Sequence, residues 1–159
     1  MYKRQVCLVR EIKHNSGSQC QTIIFSGGEP TIQLLDDLIS YLKFENYKIH
    51  LETNGSRPLS NYALKEIDHI TLSPKQELAK TRLQRCDDLK ILYPWIHREI
   101  RPELFSGKYL RAKIYIQPLE VGGINSVVSK QNQSDAIDFL KSKGKYRLSC
   151  QLHKFLDLP

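Results

Sequence analysis

The sequence predicts an α/β domain with a mainly parallel, curved sheet, and two observations lead to this prediction. Short runs rich in β-branched and aliphatic residues alternate along the chain with segments of helical periodicity. Most of these apolar runs end in Gly, Pro, Asn or Ser, as a buried parallel strand does where it enters a turn. The length of 159 residues suits one domain, predicted to cover residues 1–159.

The individual elements follow from apolar spacing and turn residues. Six segments are predicted strands: 22–25, 48–52, 69–72, 88–93, 111–116 and 146–153. Helical spacing covers 31–44, 59–67 and 135–143, with Pro30 at a first helical position and Gly144 ending the last helix. Residues 121–132, rich in Gly, Asn, Ser and Gln, are predicted to form a loop. Ligands of such a sheet bind at the carboxyl ends of its strands.

Charge and hydropathy indicate whether the chain binds nucleic acid or associates with a membrane. Twenty-four Lys and Arg against seventeen Asp and Glu give a net charge of +7, but the basic residues are scattered, as solvated surface charge is. A basic nucleic-acid-binding domain stays open as an alternative. No apolar run approaches the roughly 20 residues of a membrane span. Charged residues interrupt the N-terminal apolar stretch, so cytoplasmic localisation without membrane association is predicted.

The four cysteines stand at positions 7, 20, 86 and 150 without any Cys-x-x-Cys pair. This spacing matches neither a zinc site nor a disulfide framework. Reduced thiols are therefore expected, and Cys150, which lies in an apolar segment, is predicted to fill the core.

The first candidate site follows the strand at 22–25, where the sequence continues Ser26-Gly27-Gly28-Glu29-Pro30. Two glycines allow a ligand to approach the backbone amides, and Glu29 supplies an acceptor for a cationic group such as an ammonium. A strand-to-helix turn alone would use similar residues, so this motif is only moderately specific.

Four further polar clusters follow other predicted strands. They are Glu52 with Asn54; Ser73, Pro74 and Lys75; Gln117, Pro118, Leu119 and Glu120; and Gln151 with His153. Each alone is typical of a turn or a strand end. Gln151 and His153 are two residues apart and are expected on one face of the sixth strand. Because all five clusters close strands, together they predict a ligand site at one edge of the sheet.

In this order, the motifs resemble the 7-carboxy-7-deazaguanine synthases, a family of radical S-adenosylmethionine enzymes. Ser-Pro-Lys at 73–75 and Leu-Ser-x-Gln-x-His-Lys at 148–154 are the most specific of them. The similarity runs from about residue 20 to Pro159. It implies a partial (β/α) barrel of the radical S-adenosylmethionine type.

The resemblance also implies roles for particular residues. Ser26 and the terminal carboxylate of Pro159 match positions that bind the pterin substrate. Gly27, Gly28 and Glu29 match those at the methionine end of S-adenosylmethionine. The rest of the cofactor site is implied for Ser73, Pro74, Lys75, Gln117, Pro118, Leu119 and Glu120. The edge of the site is implied for Glu52, Asn54, Gln151 and His153.

The implied reaction is the ring contraction of 6-carboxy-5,6,7,8-tetrahydropterin to 7-carboxy-7-deazaguanine with loss of ammonia, a carbon-nitrogen lyase reaction of queuosine and deazapurine biosynthesis. A reduced 4Fe-4S cluster and S-adenosylmethionine supply the radical chemistry, and Mg²⁺ assists. The family further implies a homodimer.

The sequence departs from this family in its cysteines. The family binds its cluster with three cysteines that end in a Cys-x-x-Cys pair, and Cys7 and Cys20 lack that spacing. Residues 2–14 resemble the helix that follows the cluster loop, so the first strand, the cluster loop and the magnesium ligand are expected to be missing. The chain alone is then expected to be inactive, with an exposed sheet edge that favours dimers.

Three hypotheses follow. The chain is a fragment or truncated reading frame of an active synthase, a degenerate protein that binds S-adenosylmethionine or a pterin, or a basic nucleic-acid-binding domain.

Overall fold

The computed structural model describes residues 7, 10–12, 14, 20–34 and 36–156, apart from the side chains of residues 153 and 155. Within these residues six strands form one sheet in the order β1-β2-β3-β4-β5-β6, and every neighbouring pair is parallel. The predicted α/β class and the parallel sheet are confirmed. In the described part of the chain the sheet is open, with β1 and β6 at its edges.

The elements alternate along the chain as expected for crossover connections. The strands are β1 (Thr22–Phe25), β2 (Lys48–Thr53), β3 (His69–Leu72), β4 (Asp88–Tyr93), β5 (Lys113–Pro118) and β6 (Arg147–Leu148). The helices are α1 (Asp36–Phe44), α2 (Asn61–Glu66), α3 (Pro102–Ser106), α4 (Val127–Lys143) and α5 (Leu152–Phe155). Two short 3-10 helices cover Pro30–Ile32 and Leu78–Lys80.

The two faces of the sheet differ in chemistry because side chains alternate along each strand. One face is apolar and packs under the helices, with α1 against β2 and α4 against β5. Its fully buried members include Ile49, Leu51, Ile70, Leu72, Leu89, Ile91 and Ile116. The opposite face, called the polar face below, carries His50, Glu52, His69, Thr71, Asp88, Lys90, Tyr115 and Gln117.

The predicted loop at 121–132 is wrong in its second half, because α4 begins at Val127. Ser126 caps the helix by accepting a hydrogen bond from the amide of Ser129. The first turns lack an apolar stripe: Val127 is 84% exposed, whereas Ser129 and Asn132 are buried. Asn132 Nδ2 donates to Leu119 O at 2.7 Å. Polar contacts therefore hold this part of the helix, which apolar periodicity does not detect.

The predicted strand at 146–153 is wrong after Leu148, where β6 ends. Ser149 N still donates to Ile116 O, but the backbone then turns into α5. Gln151 precedes this helix, so Gln151 and residue 153 do not share a strand face. Cys150 is exposed rather than buried in the core.

The remaining differences are smaller. The predicted helix at 31–44 is divided into the 3-10 helix that Pro30 opens and α1. Gly144 ends α4 with a φ of 64°, as predicted. No helix in the described residues has the length and apolar character needed to cross a membrane.

Candidate functional site

The loop after β1 presents its backbone to open space. Gly27 and Gly28 adopt φ angles of 79° and 57°, a conformation that favours glycine. A Cβ added at either residue would meet nothing within 4 Å, and both glycines are exposed, as is Ser26. The backbone is therefore open to a ligand on this side.

Glu29 ties this loop to the end of β2. Its Oε1 accepts hydrogen bonds from Thr31 Oγ1 at 2.6 Å, from Thr31 N at 3.2 Å and from Thr53 Oγ1 at 2.6 Å. Its Oε2 accepts one from Asn54 N at 2.7 Å. One carboxylate thus binds four donors from two loops, and it fixes the position of the glycines beside it.

These donors also set the charge of Glu29. Burial raises the pKa of its carboxyl group, but the hydrogen bonds from Thr31, Thr53 and Asn54 outweigh burial, and the pKa lies below its usual value of 4.5. Glu29 is therefore a carboxylate at neutral pH.

The turn after β2 connects onward to β3. Thr53 Oγ1 accepts from Gly55 N at 3.1 Å, and Thr53 O accepts from Ser73 N at 2.8 Å. Asn54 Oδ1 accepts from Ser56 N at 2.8 Å and so stabilises the turn. The carboxyl ends of β1, β2 and β3 thereby form one connected network, called the β1–β3 network below.

The three residues of the Ser-Pro-Lys segment differ in their exposure to solvent. Pro74 is buried, Ser73 is partly buried and Lys75 is exposed. Pro74 is therefore shielded from solvent, whereas Ser73 and Lys75 are the members whose polar groups can reach a ligand.

A cleft of about 180 Å³ lies at the ends of β5 and β6. Its walls are formed by Gln117, Pro118, Leu119, Glu120, Ile124, Ser129, Gln133, Ile137, Leu148, Ser149, Cys150 and Gln151. The cleft thus brings the predicted 117–120 cluster together with Gln151. Its lining is largely apolar with a few polar groups, which is typical of sites for small organic ligands.

Two contacts hold the cleft together. Ser149 Oγ donates to Gln117 Oε1 at 3.3 Å. Lys154 Nζ donates to Glu120 Oε2 at 2.6 Å and joins α5 to the end of β5. The lysine of the Leu-Ser-x-Gln-x-His-Lys motif therefore anchors the C-terminal helix. Pro159 and the side chain of His153, both predicted site residues, lie outside the described part of the chain.

The polar face adds charged residues that the motifs did not identify. Lys90 Nζ donates to Glu52 Oε2 at 3.1 Å, across the intervening strand β3. Farther down the same face, His69 Nε2 lies 3.0 Å from Asp88 Oδ2. Asp88 Oδ1 is buried and has no hydrogen-bond partner among the described residues. The alternation of β4 could have placed Lys90 on the face of Glu52, but nothing local indicated the pair.

The cysteines do not fit an iron-sulfur cluster in the described residues. Cys86 is buried, whereas Cys7, Cys20 and Cys150 are exposed. In the ranges given above, no three His, Cys, Asp or Glu side chains converge on a possible metal position.

Comparison with known proteins bears on the identity of the chain. No family model matches it. A 7-carboxy-7-deazaguanine synthase of Bacteroides thetaiotaomicron is 33% identical over 137 residues, which are 86% of this chain and 65% of that protein. Those of Burkholderia multivorans and Caulobacter vibrioides are 31% and 29% identical over 91% and 94% of this chain.

The chain spans 62–65% of the length of these three relatives, less than two thirds of each. All three carry the name of the family that the motifs resemble, so the resemblance is confirmed. Over 86–94% of its length, this chain is a homologue of the 7-carboxy-7-deazaguanine synthases.

Proposed function

We propose that this chain binds S-adenosylmethionine and a carboxylated pterin as the ligand-binding body of a 7-carboxy-7-deazaguanine synthase, with a partial barrel of the radical S-adenosylmethionine type. One observation carries the proposal. Four of the five motif clusters lie at the carboxyl edge of one parallel sheet, in the β1–β3 network and in the cleft at β5 and β6. Ligands of open parallel sheets bind at this edge.

The β1–β3 network suits the amino-acid end of S-adenosylmethionine. Gly27 and Gly28 leave the backbone open to a carboxylate, which amides bind well. Glu29 Oε2 accepts only one hydrogen bond among the described residues, and a carboxylate oxygen accepts two. Its second acceptor position suits the ammonium group, while Oε1 fixes the loop. The rest of the cofactor is assigned to Ser73, Lys75 and the cleft.

The pterin is assigned to the polar face beside this loop. Phe25 pairs in register with Leu51, so Ser26 lies next to Glu52 at the ends of β1 and β2. Ser26 is exposed and Glu52 is 44% exposed in its side chain. Both can therefore bind the polar edge of a ring placed over the strand ends.

The ring contraction is proposed for the complete enzyme and not for the residues described. In the complete enzyme, a 4Fe-4S cluster would supply the radical chemistry that the resemblance implies. The four cysteines here lack the required spacing, so no step through the cluster is assigned to them. Mg²⁺, a homodimer and a cytoplasmic location are proposed on the same family grounds.

Calorimetric titration with S-adenosylmethionine tests the proposal. The wild-type chain is expected to bind it with micromolar affinity, and Gly28→Val to weaken binding at least tenfold by blocking the open backbone. Gly144→Val is the matched control, because Gly144 has a similar φ of 64° and equal space for a side chain, and it follows α4 instead. No binding by the wild type, or equal binding by all three proteins, would contradict the proposal.

Binding without radical catalysis is the second candidate. The clusters assigned to the two ligands contain no cysteine before Cys150, so binding by these residues does not depend on an iron-sulfur cluster. The intact mass of the native protein separates the two: a mass above 18.5 kDa with three additional cysteines supports the synthase. A mass of 18.5 kDa together with S-adenosylmethionine binding supports the second candidate.

A further inference from the structure

We propose that Lys90 is a positioning residue that holds the carboxylate of Glu52 toward the pterin on the polar face. The inference rests on the proposed function, and Lys90 belongs to none of the five motif clusters. Lys90 Nζ forms an ion pair with Glu52 Oε2 at 3.1 Å.

The pair spans two strand spacings, because Glu52 lies on β2 and Lys90 on β4. Neighbouring strands lie about 4.8 Å apart, so the two side chains must meet above β3. Thr71 is level with Glu52 on that strand, and Ser73 follows two residues later. Both are short enough to leave room for the lysine.

The Ser-Pro-Lys turn reinforces this arrangement. Ser73 N donates to Thr53 O at 2.8 Å, and Ser73 Oγ donates to Lys90 O at 3.4 Å. One serine therefore contacts the residue after Glu52 and the backbone of Lys90 itself. The ion pair is thus attached to the same network that fixes the glycine loop.

The two partners differ in exposure, which indicates which of them meets a ligand. The side chain of Lys90 is 19% exposed and that of Glu52 is 44% exposed. Lys90 binds one oxygen of Glu52, and in the described residues the other oxygen, Oε1, has no protein donor. Glu52 therefore presents its Oε1 as an acceptor for a ligand, and Lys90 holds the carboxylate in place through Oε2.

This acceptor matches the chemistry of a pterin. The aminopyrimidinone ring carries N–H donors along one edge, and a carboxylate is their strongest acceptor. The ligand also carries its own carboxylate, which an unpaired Glu52 would repel. Lys90 offsets that charge while it orients the acceptor, and these two effects together define its role.

Fluorescence titration with 6-carboxypterin, a stable oxidised pterin, tests the inference. The proteins are the wild type, Lys90→Met, Glu52→Gln and the double variant. Lys90→Met is expected to raise Kd roughly tenfold, the value of one charge-assisted hydrogen bond. In the Glu52→Gln background, the same change is expected to alter Kd less than twofold, since Lys90 acts through Glu52.

Two controls separate this role from structure and from overall charge. Lys90→Arg keeps a cation at the position and is expected to recover most of the affinity. Lys113→Met removes a positive charge from the same face at the start of β5, where Lys113 is exposed, and is expected to leave Kd unchanged. S-adenosylmethionine binding is expected to be equal in all variants.

The outcomes distinguish the inference from the proposed function. A wild-type chain that binds no 6-carboxypterin overturns both. A wild type that binds, with losses from Lys90→Met and Glu52→Gln that add up in the double variant, overturns the role of Lys90 alone. An equal loss in Lys113→Met also overturns it, because net charge would then explain the effect.

Discussion

Asn54 donates its backbone N–H to Glu29 Oε2 across 2.7 Å, and this bond joins the loop after β1 to the turn after β2. The two residues are 25 positions apart in the chain. A glutamate in a glycine-rich loop therefore has a structural partner in addition to any ligand it binds, and its loss would affect folding as well as binding.

Replacement of Glu29 by Gln is expected to lower the free energy of unfolding at pH 7 by about 1–2 kcal/mol, since charge-assisted hydrogen bonds become weaker neutral ones. The folded-state pKa of Glu29 is below 4.5. Its contribution is therefore complete above pH 4.5 and is lost as the pH falls through the folded-state value. Urea unfolding from pH 7 to pH 3 measures both effects.

The variant should show a shallower loss of stability with acid than the wild type. The pKa values of Asp68 and Glu103 are also lowered. These two groups therefore still make the stability of the variant decrease with acid. Equal acid profiles for the two proteins would contradict the assigned role of the Glu29 bonds.

Gly55 is expected to tolerate no side chain. Its φ is 75°, and a Cβ would lie 2.6 Å from Leu72 Cδ1 and 3.0 Å from Thr81 Cγ2. Gly55→Ala should cost about 2–4 kcal/mol, from backbone strain and overpacking together. Gly144→Ala is the matched control, because Gly144 has a φ of 64° but nothing within 4 Å.

The control should cost only the backbone strain of about 1–2 kcal/mol. Thermal unfolding of both variants gives the comparison. If Gly144→Ala were as damaging as Gly55→Ala, the contact with Leu72 would not be the cause.

The four thiols are expected to differ in reactivity. Burial raises the pKa of Cys86 to about 12, helped by the charges of Asp87 and Asp88. Cys7, Cys20 and Cys150 are exposed. Because the thiolate is the reactive form, iodoacetamide at pH 8 should modify these three rapidly and Cys86 only after unfolding. Mass spectrometry of peptides assigns each site.

Ligand protection extends the same measurement to the cleft. Cys150 lines the cleft at β5 and β6, so S-adenosylmethionine should slow its alkylation at least tenfold. Cys20 precedes β1 and is the internal control, whose rate should not change. If S-adenosylmethionine binds but slows the alkylation of neither thiol, it binds outside the cleft.

The outer edge of β1, which no strand in the described residues pairs with, is expected to make the chain associate with itself. In the described residues β1 pairs only with β2, and Ile24 is 60% exposed. Unpaired edges with apolar side chains invite strand pairing. Size-exclusion chromatography with light scattering should show a concentration-dependent dimer, and Ile24→Lys should shift it toward monomer.

Phe44→Lys controls for the loss of apolar surface, because Phe44 is 81% exposed and belongs to α1 rather than to β1. It should leave the dimer intact. Dissociation of the dimer by both variants would point to general hydrophobic contact rather than to the edge.

The parts of the fold that the sequence predicted are those with local causes. Strands β1 to β4 follow from short apolar or alternating runs bounded by turn residues, and Gly144 ends α4 through local capping. The start of α4 depends instead on Asn132 reaching Leu119, 13 positions earlier. The alternation at 146–153 predicted a longer strand, but among the described residues β6 pairs with β5 alone, and it ends after two residues.

The same distinction applies to the candidate site. Clusters at strand ends are visible in the sequence because each combines a turn with polar residues. Lys90 sits inside a strand, and its partner Glu52 is 38 positions away, so only the pairing of β2, β3 and β4 brings them together. Asp88, whose Oδ1 has no hydrogen-bond partner among the described residues, depends on the same pairing.

The alternation of apolar and polar side chains along every central strand separates two kinds of change during evolution. Substitutions at Leu51, Ile70 or Ile91 alter the packing beneath the helices, whereas substitutions at Glu52, Thr71 or Lys90 alter only the opposite face. A descendant of this scaffold can therefore acquire a new ligand while its folding free energy stays nearly constant. Within the same strands, one set of positions thus determines stability and another determines which ligand binds.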